Sequence, residues 1–365
     1  MINHAGCLLQ TDTRHGPINR SHSCLFQDNF NRRKRIRMKK YLNNIATSLI
    51  CFLFVIILNF ALPRMLPGNP IAYLSVFAEE EMTAVQIEYY RDALHLDDSI
   101  FRQFIHYVRS LTDGTLGYSY KKKADVSDLI GERVKITLQI TLPAVIFSTL
   151  TGLVWGMASG YNKDSRSDKL STTGLIILNA APSFLLALTF VILFGFHWKI
   201  LPYAGLNSAD IHPGMPGFLK DRIIHLILPV TTLILGMLPS RYLLMRSSVR
   251  AAVNERYILY AKQRGLSDNK IKYHYILRNI AQPFISMIGM SVGVCIGGSL
   301  VIENIFSING MGKLLSDAVY TLDYPLMQGI LFVTTGICVL SIILTDIICI
   351  LIDPRVRYQE RSREA

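Results

Sequence analysis

This chain of 365 residues is poor in charge: Asp, Glu, Lys and Arg make up 18% of it, against 50% apolar residues. With a mean hydropathy of +0.32, such a composition falls outside the ordinary soluble range. It has no phosphate-binding loop of the form GxxxxGK[ST]. The nearest stretch, NGMGKLL (Asn309–Leu315), follows Lys313 with Leu314 and has Ser307 where the first glycine would stand. HExxH and CxxC are absent too, and the one GxSxG match, GMSVG (Gly289–Gly293), lies inside an apolar run rather than at a strand-to-helix turn, so nothing points to a nucleotide hydrolase, a zinc protease, a redox pair or a serine hydrolase. No catalytic residue is assigned. The six cysteines form no disulfide framework. Cys51, Cys295, Cys338 and Cys349 lie inside apolar runs, where thiols act as small packing groups. Cys7 and Cys24 share the N-terminal tail with His4, His15 and His22, at spacings that match no standard metal pattern, and no metal ligand is assigned.

What the chain does have is a series of long apolar runs. A bilayer core about 30 Å thick takes roughly 20 apolar residues per helix. Six segments meet that length: Ile45–Leu62, Ile136–Gly160, Leu170–Phe196, Ile223–Leu244, Phe284–Ile302 and Leu326–Ile352. The net charge of +12 collects between these runs, which argues for a membrane protein and against a nucleic-acid binder. Residues 1–37 lack the apolar region of a secretory signal. They are expected to be a basic cytoplasmic tail, untranslated or disordered, with Met38 a natural start. The cluster Arg32–Lys40, Tyr161–Ser171, the loop 246–282 and the C-terminal 353–365 are all rich in Lys or Arg, which places them, and both termini, on the cytoplasmic side. The insertion 67–133 carries more acids than bases, including Glu79–Glu81, and is expected outside as a small helical cap. The resulting fold is an all-α membrane protein: a first span within 38–66, the insertion, and a five-helix core over 134–352.

An ion-driven carrier places ionisable residues deep in its spans. Spans two to five lack them through their centres, and Asp346 in the sixth is the one candidate coupling carboxylate. Inverted-repeat symmetry is not evident. The energy is therefore expected from another protein, with an ion-coupled secondary carrier as the alternative.

The longest charged interlude is ERYILYAKQRGLSDNKIKYHYILRNIAQP (Glu255–Pro283), with six bases against two acids. RYILYAKQR reads as one helix stopped by Gly265 in a left-handed cap. SDNKIKYHYILRN reads as a second, with Ser267 as N-cap. Tyr257, Ala261, Gly265, Leu266 and Ser267, followed by His274, Leu277, Arg278, Asn279 and Pro283, resemble the cytoplasmic coupling motif of ABC importer permeases of the dipeptide/oligopeptide/nickel branch. LPGNPI (Leu66–Ile71), LHLDDSIFRQFIHYV (with His95 in place of the usual glycine), TLGYSY, LPYAG, SRYLLMRSS, GGSLVIENIFSINGMGKLL, LDYPLMQG and IDPRVR extend the resemblance over essentially Met38–Arg357. Of the Glu-Ala-Ala for which the wider class is named, only the second alanine stands, as Ala261, with Leu259 and Tyr260 in place of its neighbours.

The resemblance implies a type I ABC importer permease fold in a bacterial inner membrane. The implied partners are a homologous second permease, two ABC ATPase subunits and an extracytoplasmic substrate-binding protein. ATP and magnesium would be bound by the ATPases, so no cofactor is expected on this chain. The segment Glu255–Gly265 would dock in the ATPase, with Glu255 and then Arg256 the candidate polar contacts. Glu303 and Asn304, where the fifth span ends, are candidates for an outer gate or a binding-protein contact. Peptide is the expected substrate; nickel or a metallophore is the alternative.

Overall fold

The computed structural model describes residues 47, 49–65, 83–93, 95–297 and 300–352. The tail 1–37 with its basic cluster, Leu66–Ile71, Glu79–Glu81, Gly298 and the C-terminal 353–365 lie outside the described residues. The chain divides into two units, Met1–Leu53 and Phe54–Ala365; apart from residues 47 and 49–53, the described residues belong to the second.

Helix α1 (Leu49–Met65) is apolar along its length. Two helices follow in the insertion, α2 (Ala84–Ala93) and α3 (Ile100–Thr112), the latter capped by Ser99, whose hydroxyl accepts from the Arg102 amide. A two-residue antiparallel ribbon, β1 (Tyr118–Ser119) with β2 (Ala124–Asp125), closes the insertion. The described stretches 83–93 and 95–125 hold these two helices, as their three-to-four spacing suggests, with the ribbon added.

Long helices come next. These are α4 (Val126–Tyr161), α5 (Arg166–Ala180), α6 (Ser183–Phe190, continuing as a π-turn through His197) and α7 (Phe218–Val253). The short α8 (Arg256–Gln263) precedes α9, a continuous rod over 268–297 with a π-turn at Ile271–Ile276. α10 (Leu300–Ile305), α11 (Met311–Tyr320) and α12 (Tyr324–Ile352) complete the described residues.

Among the described residues three helices, α4, α7 and α12, are long and apolar enough to cross a membrane, or four if the bent pair α5–α6 is one span. The third apolar segment is thus not the straight span its hydropathy suggests. It turns through 94° between α5 and α6. Pro182 is the cause: proline drives the preceding residue out of the helical region, and Ala181 sits at ψ 124°. Pro143, Pro229, Pro239 and Pro283 are instead carried inside helices. Pro283 in particular marks no boundary, so the second helix of the charged interlude and the fifth apolar run are one rod.

The central seam is α4 against α7. A Cβ on Gly152 would lie 2.7 Å from the Arg241 Cβ, on Gly156 2.8 Å from the Met245 Cβ, and on Gly160 2.7 Å from the Arg246 carbonyl oxygen. Glycine at every fourth position lets the two backbones meet, as in membrane helix pairs generally. Gly289 and Gly293 serve α9 in the same way, against Thr345 and Cys338 of α12. The seam also encloses Arg241, 3% exposed, whose Nη2 donates to Ser291 Oγ at 2.8 Å.

Candidate functional site

The residues of the charged interlude form a two-helix elbow, and its geometry explains the motif residue by residue. Gly265 has φ +69°, the left-handed conformation that glycine adopts without a Cβ penalty. Its amide donates to the Lys262 carbonyl at 2.9 Å, and the Leu266 amide donates to the Ala261 carbonyl at 3.3 Å. These two bonds, one reaching back three residues and one five, define a Schellman motif. Leu266 supplies the apolar contact that accompanies it, packing against the buried cluster to which Ala261 and Ile258 belong. Ser267 is the N-cap of α9 by backbone geometry, with its carbonyl accepting from Ile271 at 3.0 Å, but its hydroxyl makes no capping bond. Ala-x-x-x-Gly-Leu-Ser therefore encodes a stop, an apolar latch and a restart within seven residues.

The elbow has two faces. Ile258 and Ala261 of α8, and Ile271, Ile276, Ile280 and Phe284 of α9, are buried against Met157 of α4 and Met245, Val249 and Ala252 of α7. Fully burying one such isoleucine stabilises by about 1.5–3 kcal/mol, so this underside holds the elbow to the two central helices. The opposite face is open. Glu255, Arg256, Lys262, Gln263 and Arg264 are exposed there, together with Leu259 (56%) and Tyr260 (61%). Tyr257 and Asn279 are half-buried, with the Asn279 side chain donating to the Tyr275 carbonyl at 2.8 Å; Arg278 and His274 are exposed.

The end of α4 grips both arms of the elbow. Tyr161 donates its hydroxyl to Asp268 Oδ1 at 2.5 Å, while the ammonium groups of Lys262 and Lys272 lie 5.3 and 4.5 Å from its ring centroid. Both distances fall within cation–π range.

Just behind Tyr161 lies a buried polar network that sequence reasoning missed. Asp168 of α5, 1% exposed, accepts two bonds from Arg246 of α7, at 2.6 and 2.9 Å. Ser159 of α4 donates to the same carboxylate and lies 2.5 Å from the Tyr242 hydroxyl, which Ser171 and Thr172 also reach. This network joins α4, α5 and α7 beneath the elbow. The basic stretch YNKDSRSDKLS hides it, because a topological reading gives weight to its bases and not to its one buried acid.

Glu303 belongs to a different structure. It is fully buried, accepting from Thr137 Oγ1 of α4 at 2.8 Å and from the Lys313 amide at 3.1 Å. The Met311 amide donates to the same Thr137 hydroxyl at 2.8 Å. A Cβ on Gly310 would lie 2.6 Å from the Glu303 carboxyl carbon, and one on Gly312 2.5 Å from the Leu300 Cα. The stretch that resembles a phosphate loop is thus a helix N-terminus closed by the chain's own carboxylate. Burial pushes the Glu303 carboxyl above its ordinary range, with the Thr137 hydroxyl and the Lys313 and Gly312 amides pulling it back. In this conformation its side chain offers no outer surface; Asn304 beside it is exposed. Asp346 of α12 is half-buried.

Residues 135–358 match the family described as the binding-protein-dependent transport system inner membrane component. The dipeptide transport system permease protein DppB of Bacillus subtilis is 29% identical over 330 residues, covering 90% of this chain and 99% of that protein. Its namesake in Escherichia coli K12 is 27% identical over 328 residues, covering 85% and 96%. The glutathione transport system permease protein GsiC of Escherichia coli is 29% identical over 323 residues, covering 88% and 100%.

Proposed function

We infer the function from one premise: the chain belongs to the family of binding-protein-dependent transport system inner membrane components. It is therefore a multi-pass transport component of a bacterial inner membrane. The matched relatives are peptide and glutathione permeases along nearly their whole length, and the substrate proposed here is a di- or oligopeptide. The chain forms one transmembrane half of an ATP-driven importer. It pairs with a homologous second permease, two cytoplasmic ATPases that hold ATP and magnesium, and an external binding protein. Six spans with both termini inside complete the proposal, with 67–133 as the external insertion.

One observation carries the mechanism. The elbow is anchored beneath by a buried apolar face and open above, where Arg256, Leu259, Tyr260, Gln263 and Arg264 are available to a partner. Such a surface, with arginine and tyrosine at its centre, has the composition of an interface hot spot. The partner's motion on α8 passes through the Gly265 latch into α9, which continues unbroken into the fifth apolar run. It also passes into α4 through Tyr161. ATP binding would then favour one conformation of the spans and hydrolysis the other, which requires the nucleotide states to bind the two with different affinity.

Two experiments test this reading. In a pull-down of the solubilised chain expressed with its genomic neighbours, two ATPases and a second permease copurify with the intact chain and are lost when Glu255–Arg264 is scrambled. A chain that purifies alone and catalyses uptake into vesicles without ATP would instead be the secondary carrier, and Asp346 would be its first residue to mutate. Gly265→Pro is expected to abolish transport while leaving membrane insertion intact. Proline cannot adopt φ +69° and lacks the amide that bonds Lys262. Normal uptake by that variant refutes the lever.

A further inference from the structure

The corner between α2 and α3 brings together three side chains that neither the proposed transport mechanism nor the packing of the spans uses. We propose that His95, Asp98 and His106 form a binding site for a divalent transition metal of the zinc class, with one coordination position left open.

His95 Nδ1 lies 3.4 Å from Asp98 Oδ2, and His106 Nε2 lies 3.9 Å from the same oxygen. All three donor atoms fall within 4.8 Å of one another. A tetrahedral zinc ion with bonds of about 2.0–2.2 Å separates its ligand atoms by roughly 3.3–3.6 Å. The side chains need to close by an ångström or so to reach that geometry. The two imidazole rings stack with centroids 4.1 Å apart and 10° between their planes; since a ring nitrogen's lone pair lies in the plane of its ring, one ring turns about its side-chain torsions to aim at a shared ion.

The frame is already built. The Asp98 amide donates to the His95 carbonyl at 3.2 Å, and the Gln103 side chain donates back to the Asp98 carbonyl at 3.0 Å, fixing the turn on the face of α3 that carries His106. Arg102 approaches Asp98 through the other carboxylate oxygen, at 3.9 Å, and its side chain is 74% exposed. It leaves Oδ2 to the metal. Two imidazoles and one carboxylate suit zinc, nickel or cobalt and discriminate against calcium and magnesium, which prefer an all-oxygen shell. The exposure of both histidines leaves the fourth position to water or to a ligand from a partner. A bound ion would staple the turn that enters α3 to the second turn of that helix.

The backbone supplies a clean test. His95 has φ +52°, where glycine is unstrained, so His95→Gly removes a ligand while relaxing the turn. The full chain is purified in detergent, stripped with chelator and titrated with zinc in excess magnesium, and with cobalt to read its visible absorption. The parent is expected to bind one zinc at this site, to give a tetrahedral cobalt spectrum, and to melt at higher temperature with zinc. His95→Gly and His106→Gln each weaken zinc by at least about tenfold and abolish the thermal shift, while metal-free His95→Gly melts no lower than the parent. Zinc uptake equal in parent and variants, including any contributed by the histidines and cysteines of residues 1–37, overturns the site. So does a parent that takes up no zinc at micromolar free metal, which would leave the cluster an ordinary hydrogen-bonded group.

Discussion

Helix α4 holds a buried carboxylate near each of its ends, and the two are held in opposite ways. Thr137 donates to Glu303, and Ser159, 22 residues further along or about 33 Å of helix, donates to Asp168. Asp168 has a cation: Arg246 meets it with two parallel bonds. Among the described residues Glu303 has none within bonding reach; it is satisfied by a hydroxyl and by amides at the start of α11. The difference follows from where each sits. Asp168 ties three helices together beneath the elbow, where the proposed lever has to transmit movement, and a bidentate arginine fixes direction as well as distance. Glu303 closes a tight turn between two short helices, where Gly310 and Gly312 leave no room for a guanidinium.

The largest break in this comparison is Arg246→Ala. It leaves Asp168 charged and enclosed, and removing one partner of a buried pair costs about 3–5 kcal/mol. The expected outcome is loss of a monodisperse purified chain, or a steep fall in its melting temperature. The double variant Asp168→Leu with Arg246→Met recovers much of that loss, since neither charge is then stranded. A single variant that melts like the parent would show that the pair holds nothing. A smaller effect is expected from Glu303→Ala, which leaves the Thr137 hydroxyl and the Lys313 amide without their acceptor, at about 1–3 kcal/mol. Glu303→Gln keeps one acceptor oxygen and recovers most of it. If Glu303→Gln proves as damaging as Arg246→Ala, the two carboxylates are not held differently after all.

These two sites also mark where the sequence is legible. The elbow can be read in advance because its signals are local: Gly265 needs a left-handed backbone, Ala261 a close contact, and Leu266 an apolar pocket, all within six residues. The apolar runs are equally plain, since hydropathy needs no partner to be recognised. The Asp168 network cannot be read, because its members Ser159, Asp168, Tyr242 and Arg246 come from three helices and only packing brings them together. Glu303 is visible as an acid at the end of an apolar run, where an exposed role is the natural expectation. Its burial depends on the chain doubling back through Gly310. The bend at Pro182 is a middle case: the proline is plain, but Pro143, Pro229, Pro239 and Pro283 sit inside helices without breaking them. Whether a membrane proline turns the chain depends on what neighbouring helices can satisfy. His95 and His106 are separated by ten residues that match no ligand spacing, and they meet only because the turn at Asp98 folds back on α3.

The smallest effect separates Glu303 by pH. Burial raises its carboxyl above the ordinary glutamate range, so the folded chain binds a proton more readily than the unfolded one. Stability then rises as pH falls through the raised value and stops rising below about 4.3, where the unfolded side chain is protonated as well. Asp323 shifts in the same direction, chiefly by burial, against the Ser119 hydroxyl, the Leu326 amide and Lys122, which favour its charged form. The parent's slope of melting temperature against pH is then a sum: Glu303 and Asp323 contribute shares of one sign, and Asp168 and Asp221, held below the ordinary range chiefly by the Arg246 guanidinium and the Ser208 amide, contribute the opposite sign at the acid end. Glu303→Gln removes one share and Asp323→Asn the other, and the difference from the parent isolates each. If Glu303→Gln leaves the slope unchanged, the amides of α11 stabilise the charged carboxylate fully, and the N-terminus of that helix does for Glu303 what Arg246 does for Asp168.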